Sequence, residues 1–197
     1  MLTLVYGGCC SGKSTFSEQL LQDSAGVLER WYIATMWPEG PDAQRRIQRH
    51  RALRATKGFV NCERYTDIGG LVIPEHSAAL LECLGGLVAN EMFQQDGAKE
   101  AAQTAILEGV ASLAAQTEHL IVVSNEVGND SNSYNETTQA YQLVLAALNR
   151  ELCALSDCTV EMVCGIPVYL KGETLRYAKD EDRSCLISED TCRYSKD

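Results

Sequence analysis

Nine residues near the start of the chain, GGCCSGKST (7–15), combine small side chains, a lysine and hydroxyls in a pattern suited to phosphate binding. They fit G-x-x-x-x-G-K-[ST], whose backbone N–H groups turn inward around phosphate oxygens at a helix N-terminus. The pattern predicts a nucleoside triphosphate site in which Lys13 reaches the β- and γ-phosphates and Ser14 ligates Mg²⁺. The predicted binding residues of this loop are Gly7, Gly8, Cys9, Cys10, Ser11, Gly12, Lys13, Ser14 and Thr15.

A loop of this kind also needs a carboxylate at the end of a neighbouring strand, where it holds the magnesium through water. Two acids follow apolar runs: Glu82 ends AALLE, and Glu126 follows LIVVSN. Either acid could instead begin a loop or cap a helix. We take Glu82 as the first choice for the metal, and Glu126 as the alternative.

A second chemical cluster is the basic segment DAQRRIQRHRALR (42–54). Its arginines stand at positions 45, 46, 49, 51 and 54 of an otherwise acidic protein. At helical spacing Arg46, His50 and Arg54 share one face, and guanidinium groups match phosphate oxygens. The alternative, which a charge run alone favours, is a solvated helix whose arginines pair with acids elsewhere.

His50 is one of three histidines, with His76 and His119, and it alone lies among arginines. An imidazole can attack phosphorus near neutral pH and form a phosphoramidate, and flanking cations keep the ring neutral and nucleophilic. For a lone surface histidine this chemistry is uncommon, so the residue types alone leave a structural role open.

Short apolar runs alternate with helical patterns along the chain, which places the two clusters on a common framework. Strands are predicted at 2–6, 31–35, 78–83, 120–124 and 159–164, with a weak strand signal near VNCERY. Helices are predicted at 13–23, 42–54, 85–94, 98–117 and 135–155. Such alternation indicates an α/β fold, a mostly parallel sheet with helices on both faces.

Composition limits the class of protein. The 197 residues, 45% of them apolar, suit one core and one domain. A net charge of −10 argues against a general nucleic-acid surface. The N-terminus lacks a basic region followed by a long apolar stretch, and no apolar run could span a membrane, so we expect a cytoplasmic protein.

The cysteines and the C-terminal segment complete the survey. No pair among the nine cysteines has C-x-x-C spacing, which favours reduced thiols over a zinc or redox site. Residues 1–172 are predicted to form the nucleotide-binding domain. Residues 173–197 are polar and highly charged, which predicts a loosely packed or disordered tail without catalytic residues.

Several segments together resemble one enzyme family. Their order and spacing over about residues 1–172 are similar to those of bifunctional adenosylcobinamide kinase and adenosylcobinamide-phosphate guanylyltransferase, of cobalamin biosynthesis. The segments are VYGGCCSGKS, YIAT, RIQRHR, LLEC with Asn90 after it, and SNEVG. The glycine loop is generic, whereas R-I-x-x-H-R followed by N-E-V-G is specific.

The resemblance implies a RecA-like P-loop domain, usually a homotrimer, that uses ATP or GTP to phosphorylate the aminopropanol hydroxyl of adenosylcobinamide. It also implies transfer of GMP from GTP through a histidine to that phosphate. By the same resemblance His50 is the nucleophile, Lys13 and Ser14 are the loop residues, and Glu82 is the strand acid. Arg46, Arg49 and Arg51 would then neutralise the leaving pyrophosphate.

The chain also departs from the family pattern. Gln139, Gln142 and Leu143 stand where the family has two arginines and an aspartate, and Cys10 stands where an arginine is common. Two other functions therefore remain open: a kinase of another small metabolite, with His50 only structural, and a nucleotide-binding regulatory subunit without full activity.

Overall fold

A computed structural model describes residues 1–24, 26, 27, 29–127 and 134–172. The five predicted strands and the weak one are present as β1 (Leu2–Tyr6), β2 (Glu29–Ala34), β3 (Val60–Glu63), β4 (Ser77–Glu82), β5 (Thr117–Val123) and β6 (Cys158–Val163). A further strand, β7 (Ile166–Lys171), was not predicted. The predicted tail 173–197 and Gly128 of SNEVG lie outside the described residues.

The strands form one sheet in the order β3-β2-β4-β5-β1-β6-β7. All neighbours are parallel except β7, which is antiparallel to β6. This mostly parallel arrangement confirms the predicted fold class. β7 escaped prediction because Ile166, Val168 and Leu170 alternate as in a strand but are exposed, and Pro167 is tolerated in a strand only at an edge such as this one.

In the described part of the chain five α-helices connect the strands: α1 (Lys13–Gln22), α2 (Gly40–Arg54), α3 (Leu84–Phe93), α4 (Ala102–Gln116) and α5 (Glu136–Leu155). Short 3₁₀ helices occupy Ile68–Gly70 and Lys99–Ala101, so the predicted helix 98–117 begins later than expected. Among the described residues no helix has the length and apolar character needed to cross a membrane.

The core has two parts, one on each face of the sheet. α3, α4 and α5 cover one face, where Leu84, Ile106 and Leu148 are buried against strand residues. α1 covers the other face through Phe16, Leu20 and Leu21. Because strands buried on both faces must be apolar throughout, the polar side chains that can react are confined to the strand ends.

Candidate active site

The glycine loop joins β1 to α1, and two of its glycines have backbone conformations that other residues avoid. Gly7 has φ 147° and Gly12 has φ 93°. A Cβ on Gly7 would lie 2.6 Å from the carbonyl oxygen of Met162, so a larger residue would force β1 and β6 apart. The loop is tied at both flanks, since Glu126 N–H donates to Gly7 O (3.1 Å) and Gly165 N–H donates to Ser11 O (3.0 Å).

Lys13 lies inside this loop. Its side chain is only 7% exposed, and its ammonium donates to the carbonyl oxygens of Gly7 (2.8 Å) and Gly8 (2.6 Å). Burial lowers the pKa of Lys13, an effect opposed by the nearby Cys9, Cys83 and Glu82. A cation held among backbone dipoles is thus already placed where the loop encloses its ligand.

The remaining loop residues differ in accessibility. Cys9 and Cys10 are exposed, with their sulfur atoms 3.6 Å apart, and Thr15 is also exposed on the first turn of α1. Ser11 is buried, and its hydroxyl has no hydrogen-bond partner among the described residues.

Ser14 and Glu82, the two residues predicted to hold the metal, are in direct contact. The Ser14 hydroxyl donates to Oε1 of Glu82, although the two residues are 68 positions apart in the chain. The Tyr32 hydroxyl donates to Oε2 of the same carboxylate at 2.6 Å. Hydroxyl and carboxylate oxygens are the ligands that Mg²⁺ prefers, so this donor set fits that ion.

Glu126, the alternative acid, is positioned differently from Glu82. It is exposed beyond the end of β5, and its charge contributes to the raised pKa of Tyr6, whose largest cause is burial. Its backbone supports Gly7, as described above, but its carboxylate is not bonded to Ser14. The structure therefore brings Glu82, and not Glu126, to the first turn of α1.

His50 lies on α2, a helix that is polar and exposed over most of its length. The imidazole is half-buried, and this burial is the largest cause of a lowered pKa. Glu82 opposes that effect, while Arg54, Arg46 and Arg49 add to it. Glu82, the carboxylate bonded to Ser14, is therefore near enough to His50 to affect its charge.

The arginines of α2 do not act alike. Arg46 and Arg49 are exposed and act on the charge of His50. Arg51, predicted to join them, instead pairs with Glu63 at the end of β3. Arg54 is only 5% exposed and stacks on the Tyr32 ring, with its Cζ atom 3.8 Å from the ring centroid.

Several residues that shape this edge of the sheet carried no recognised role in the sequence. Thr35 accepts the backbone N–H of Cys83 (2.8 Å) and donates to the Cys83 carbonyl oxygen (2.8 Å), and Asn90 donates to the Thr35 carbonyl oxygen (2.8 Å). Tyr32 holds Glu82. The available signals were the family resemblance, which includes YIAT and Asn90, and the polar groups within the otherwise apolar run WYIAT, before the basic helix.

A cavity of about 430 Å³ beside α3 and α4 differs from this site in the residues that line it. Its lining includes the carboxylates of Asp67, Glu91, Asp96 and Glu108 and none of the predicted site residues. Four acids repel a triphosphate. Glu91 itself accepts the backbone N–H groups of Asp67 (2.7 Å) and Ala98 (2.9 Å), which is a structural role.

Two solved structures share a loose likeness with this chain. The flagellar accessory protein FlaH from Methanocaldococcus jannaschii matches with a TM-score of 0.46 at 10% identity, over 87% of this chain and 78% of that one. The ATPase domain of G40P matches with a TM-score of 0.44 at 10% identity, over 81% and 68%.

Sequence comparisons are more specific. The bifunctional adenosylcobalamin biosynthesis protein CobU of Escherichia coli is 30% identical over 185 residues, which cover 87% of this chain and all of that protein. CobU of Salmonella typhimurium is 31% identical over the same shares of both chains, and CobP of Pseudomonas aeruginosa is 28% identical over 89% of this chain and all of that one. The model of cobinamide kinase / cobinamide phosphate guanyltransferase matches residues 3–170, and the chain belongs to this family of transferases.

Proposed function

We propose that this chain phosphorylates adenosylcobinamide with ATP or GTP and then transfers GMP from GTP to the product, through a guanylyl group on His50. One observation carries the proposal: His50, whose pKa is lowered, lies within electrostatic reach of Glu82, the acid bonded to the phosphate loop. A nucleophile and a triphosphate cradle at one sheet edge suit both reactions.

In the kinase step the loop residues 7–15 enclose the triphosphate, and Lys13 neutralises the charge that develops on the transferred γ-phosphoryl group. Ser14 and Glu82 would hold Mg²⁺, which would supply positive charge beside the phosphate oxygens. The substrate hydroxyl forms a bond to the γ-phosphorus as the bond to the β-phosphate oxygen breaks, and its proton is released.

In the guanylyl step an imidazole nitrogen of His50 attacks the α-phosphorus of GTP. A P–N bond forms while the P–O bond to pyrophosphate breaks, and Arg46 and Arg49 neutralise the leaving group. An oxygen of adenosylcobinamide phosphate then attacks the same phosphorus and breaks the P–N bond, which yields adenosylcobinamide-GDP. Splitting the transfer in this way helps a weak phosphate nucleophile.

The test compares GTP labelled at the α-phosphate with GTP labelled at the γ-phosphate. Label from the α-position should become bound to the protein, be labile in acid and stable in alkali, and be discharged by adenosylcobinamide phosphate. It should vanish in His50→Ala and persist in His76→Ala, a matched control because His76 is exposed before β4, at the opposite end of that strand from Glu82.

Three results would contradict the proposal. Normal GMP transfer by His50→Ala would place the nucleophile elsewhere or make the transfer direct. Transfer of only γ-label, to a metabolite other than adenosylcobinamide, would make the chain a kinase of a different substrate. Absence of any turnover, with nucleotide binding retained, would favour a regulatory subunit.

We further propose that the chain assembles as a homotrimer in the cytoplasm, which the family resemblance supports. Light scattering coupled to gel filtration should give about three times the chain mass of 21.6 kDa. A monomer at micromolar concentration would contradict the trimer.

A further inference from the structure

The carboxylate of Glu82 is held from two sides. Ser14 on α1 donates to one oxygen and Tyr32 on β2 donates to the other. Tyr32 is 2% exposed, although a tyrosine hydroxyl is readily accommodated at a surface. A buried hydroxyl that donates to a carboxylate fixes the direction in which that carboxylate points.

Tyr32 is itself fixed by residues that come from the histidine-bearing side of the site. The buried guanidinium of Arg54 covers one part of its ring, and Phe59 lies 6.1 Å away between ring centroids. The Nε of Arg54 donates to Oδ1 of Asn61 on β3 at 3.2 Å. Arg54 thus connects the last turn of α2, four residues after His50, to the ring of Tyr32.

An arginine buried in this position has a cost of desolvation that an apolar side chain would avoid. Glu18 on α1 offsets part of this charge, since Arg54 acts to lower the pKa of Glu18 against the larger effect of burial. A continuous set of contacts therefore runs from α2 through Arg54 and Tyr32 to Glu82.

We propose that Tyr32 is a positioning residue that orients Glu82 for Mg²⁺, and that Arg54 keeps Tyr32 in place. This inference rests on the proposed role of Glu82. It assigns a purpose to two residues that touch neither the loop nor His50 directly in the described contacts. It also makes the end of the histidine-bearing helix part of the support for the metal site.

The test measures binding of a fluorescent GTP analogue against Mg²⁺ concentration, with EDTA as the metal-free reference. Tyr32→Phe keeps the ring and removes only the hydroxyl, so nucleotide affinity in EDTA should not change. The Mg²⁺ concentration for half-maximal binding should rise about tenfold, the usual effect of removing a group that orients a metal ligand. High Mg²⁺ should rescue the kinase rate of this variant.

Tyr141→Phe is the matched control, because the Tyr141 hydroxyl donates to the Gly85 carbonyl oxygen (3.2 Å) at the same sheet edge without touching Glu82. It should leave the Mg²⁺ requirement unchanged. Arg54→Met provides a second variant if thermal unfolding shows that Tyr32→Phe does not fold. It should raise the Mg²⁺ requirement by about threefold, since the Tyr32 hydroxyl remains.

Glu82→Gln separates failure of this inference from failure of the proposed site. If Glu82→Gln raises the Mg²⁺ requirement and Tyr32→Phe matches the wild type, Tyr32 does not position the acid and the inference is wrong. An equal rise of the Mg²⁺ requirement in Tyr32→Phe and Tyr141→Phe would also overturn the inference, because it would indicate a general loss of packing. If Glu82→Gln itself has no effect, the assignment of Glu82 fails, and the inference fails with it.

Discussion

The phosphate loop and the helix that carries His50 lie at one edge of the sheet but are built differently. The loop is tied to residues that follow β5 and β6, and Lys13 is buried against its carbonyl oxygens. Helix α2 is exposed along most of its length and is joined to the sheet near its C-terminal end, where Arg51 contacts Glu63 and Arg54 contacts Tyr32.

In the proposed function this contrast separates two ways of binding phosphate. The loop would use backbone N–H groups, whose direction depends on glycine conformations and not on distant side chains. The helix would use arginine charges around a single imidazole, so its electrostatics depend on which charged groups the rest of the fold brings near. We therefore expect damage to the loop to disable both transfer steps, and damage to the helix to affect mainly the guanylyl step.

The largest effect should come from Lys13→Ala, which removes the cation from the loop. Turnover of nucleotide in both steps should fall by at least about 100-fold, since the lost charge stabilises the transferred phosphoryl group. Thermal unfolding should confirm that the variant folds.

Lys171→Ala is the control, because Lys171 also donates to two backbone carbonyl oxygens, those of Cys153 and Ala154, but lies on the edge strand. It should retain full turnover. Unchanged GTP consumption by Lys13→Ala would contradict the loop assignment.

The departures on α5 should make the two steps unequal. Gln139 is exposed and donates to the Tyr134 carbonyl oxygen (2.6 Å), and Leu143 is 72% exposed, so neither supplies the charge that the family places there. Loss of a charged contact to a phosphorylated ligand costs on the order of 2 kcal/mol, which corresponds to more than tenfold in rate. Steady-state rates with adenosylcobinamide and with its phosphate, measured side by side, should differ by that much; two comparable and fast rates would show compensation elsewhere.

The pH dependence should distinguish the helix from the loop. The pKa of His50 is lowered from 6.5, chiefly by burial. The neutral nucleophile thus persists below the pH at which a free imidazole takes up a proton, and the guanylyl step should slow only as the pH falls through this lowered value, by about tenfold per unit beyond it. The rate of protein labelling from α-labelled GTP between pH 5 and 8 checks this.

Arg46→Met should move this acidic limb to higher pH, because it removes a cation that lowers the pKa of His50. In the wild type, a guanylyl rate that already falls as the pH is lowered from 8 to 7 would contradict a neutral, partly buried His50.

The smallest effect should come from Arg51→Met. Arg51 is exposed and paired with Glu63, and an exposed ion pair of this kind contributes little to stability. We expect the guanylyl rate to stay within about twofold of the wild type, whereas Arg46→Met should slow it more. An equal loss in both variants would mean that Arg51 leaves Glu63 to contact pyrophosphate, as the family resemblance implied.

The local patterns of the sequence determined the fold class, the phosphate loop and most element positions. Apolar runs identify strands that are buried on both faces, and the spacing of Gly7, Gly12 and Lys13 identifies the loop, because its glycine conformations and its lysine are local features. The sequence also singled out His50, through the arginines beside it and the family resemblance, and that role stays a prediction. The exposed edge strand β7 was missed because its pattern lacks the signal of burial.

Tertiary structure alone decided which distant side chains meet. Both Glu82 and Glu126 follow apolar runs, and β5 is the strand next to β1, yet Glu82, the last residue of β4, is the acid that meets Ser14. Likewise Arg51 and Arg54 are three residues apart on one helix, yet one pairs with Glu63 in solvent and the other is buried on Tyr32. Contacts between residues remote in the chain depend on how the sheet and helices pack, and short sequence patterns do not specify that packing.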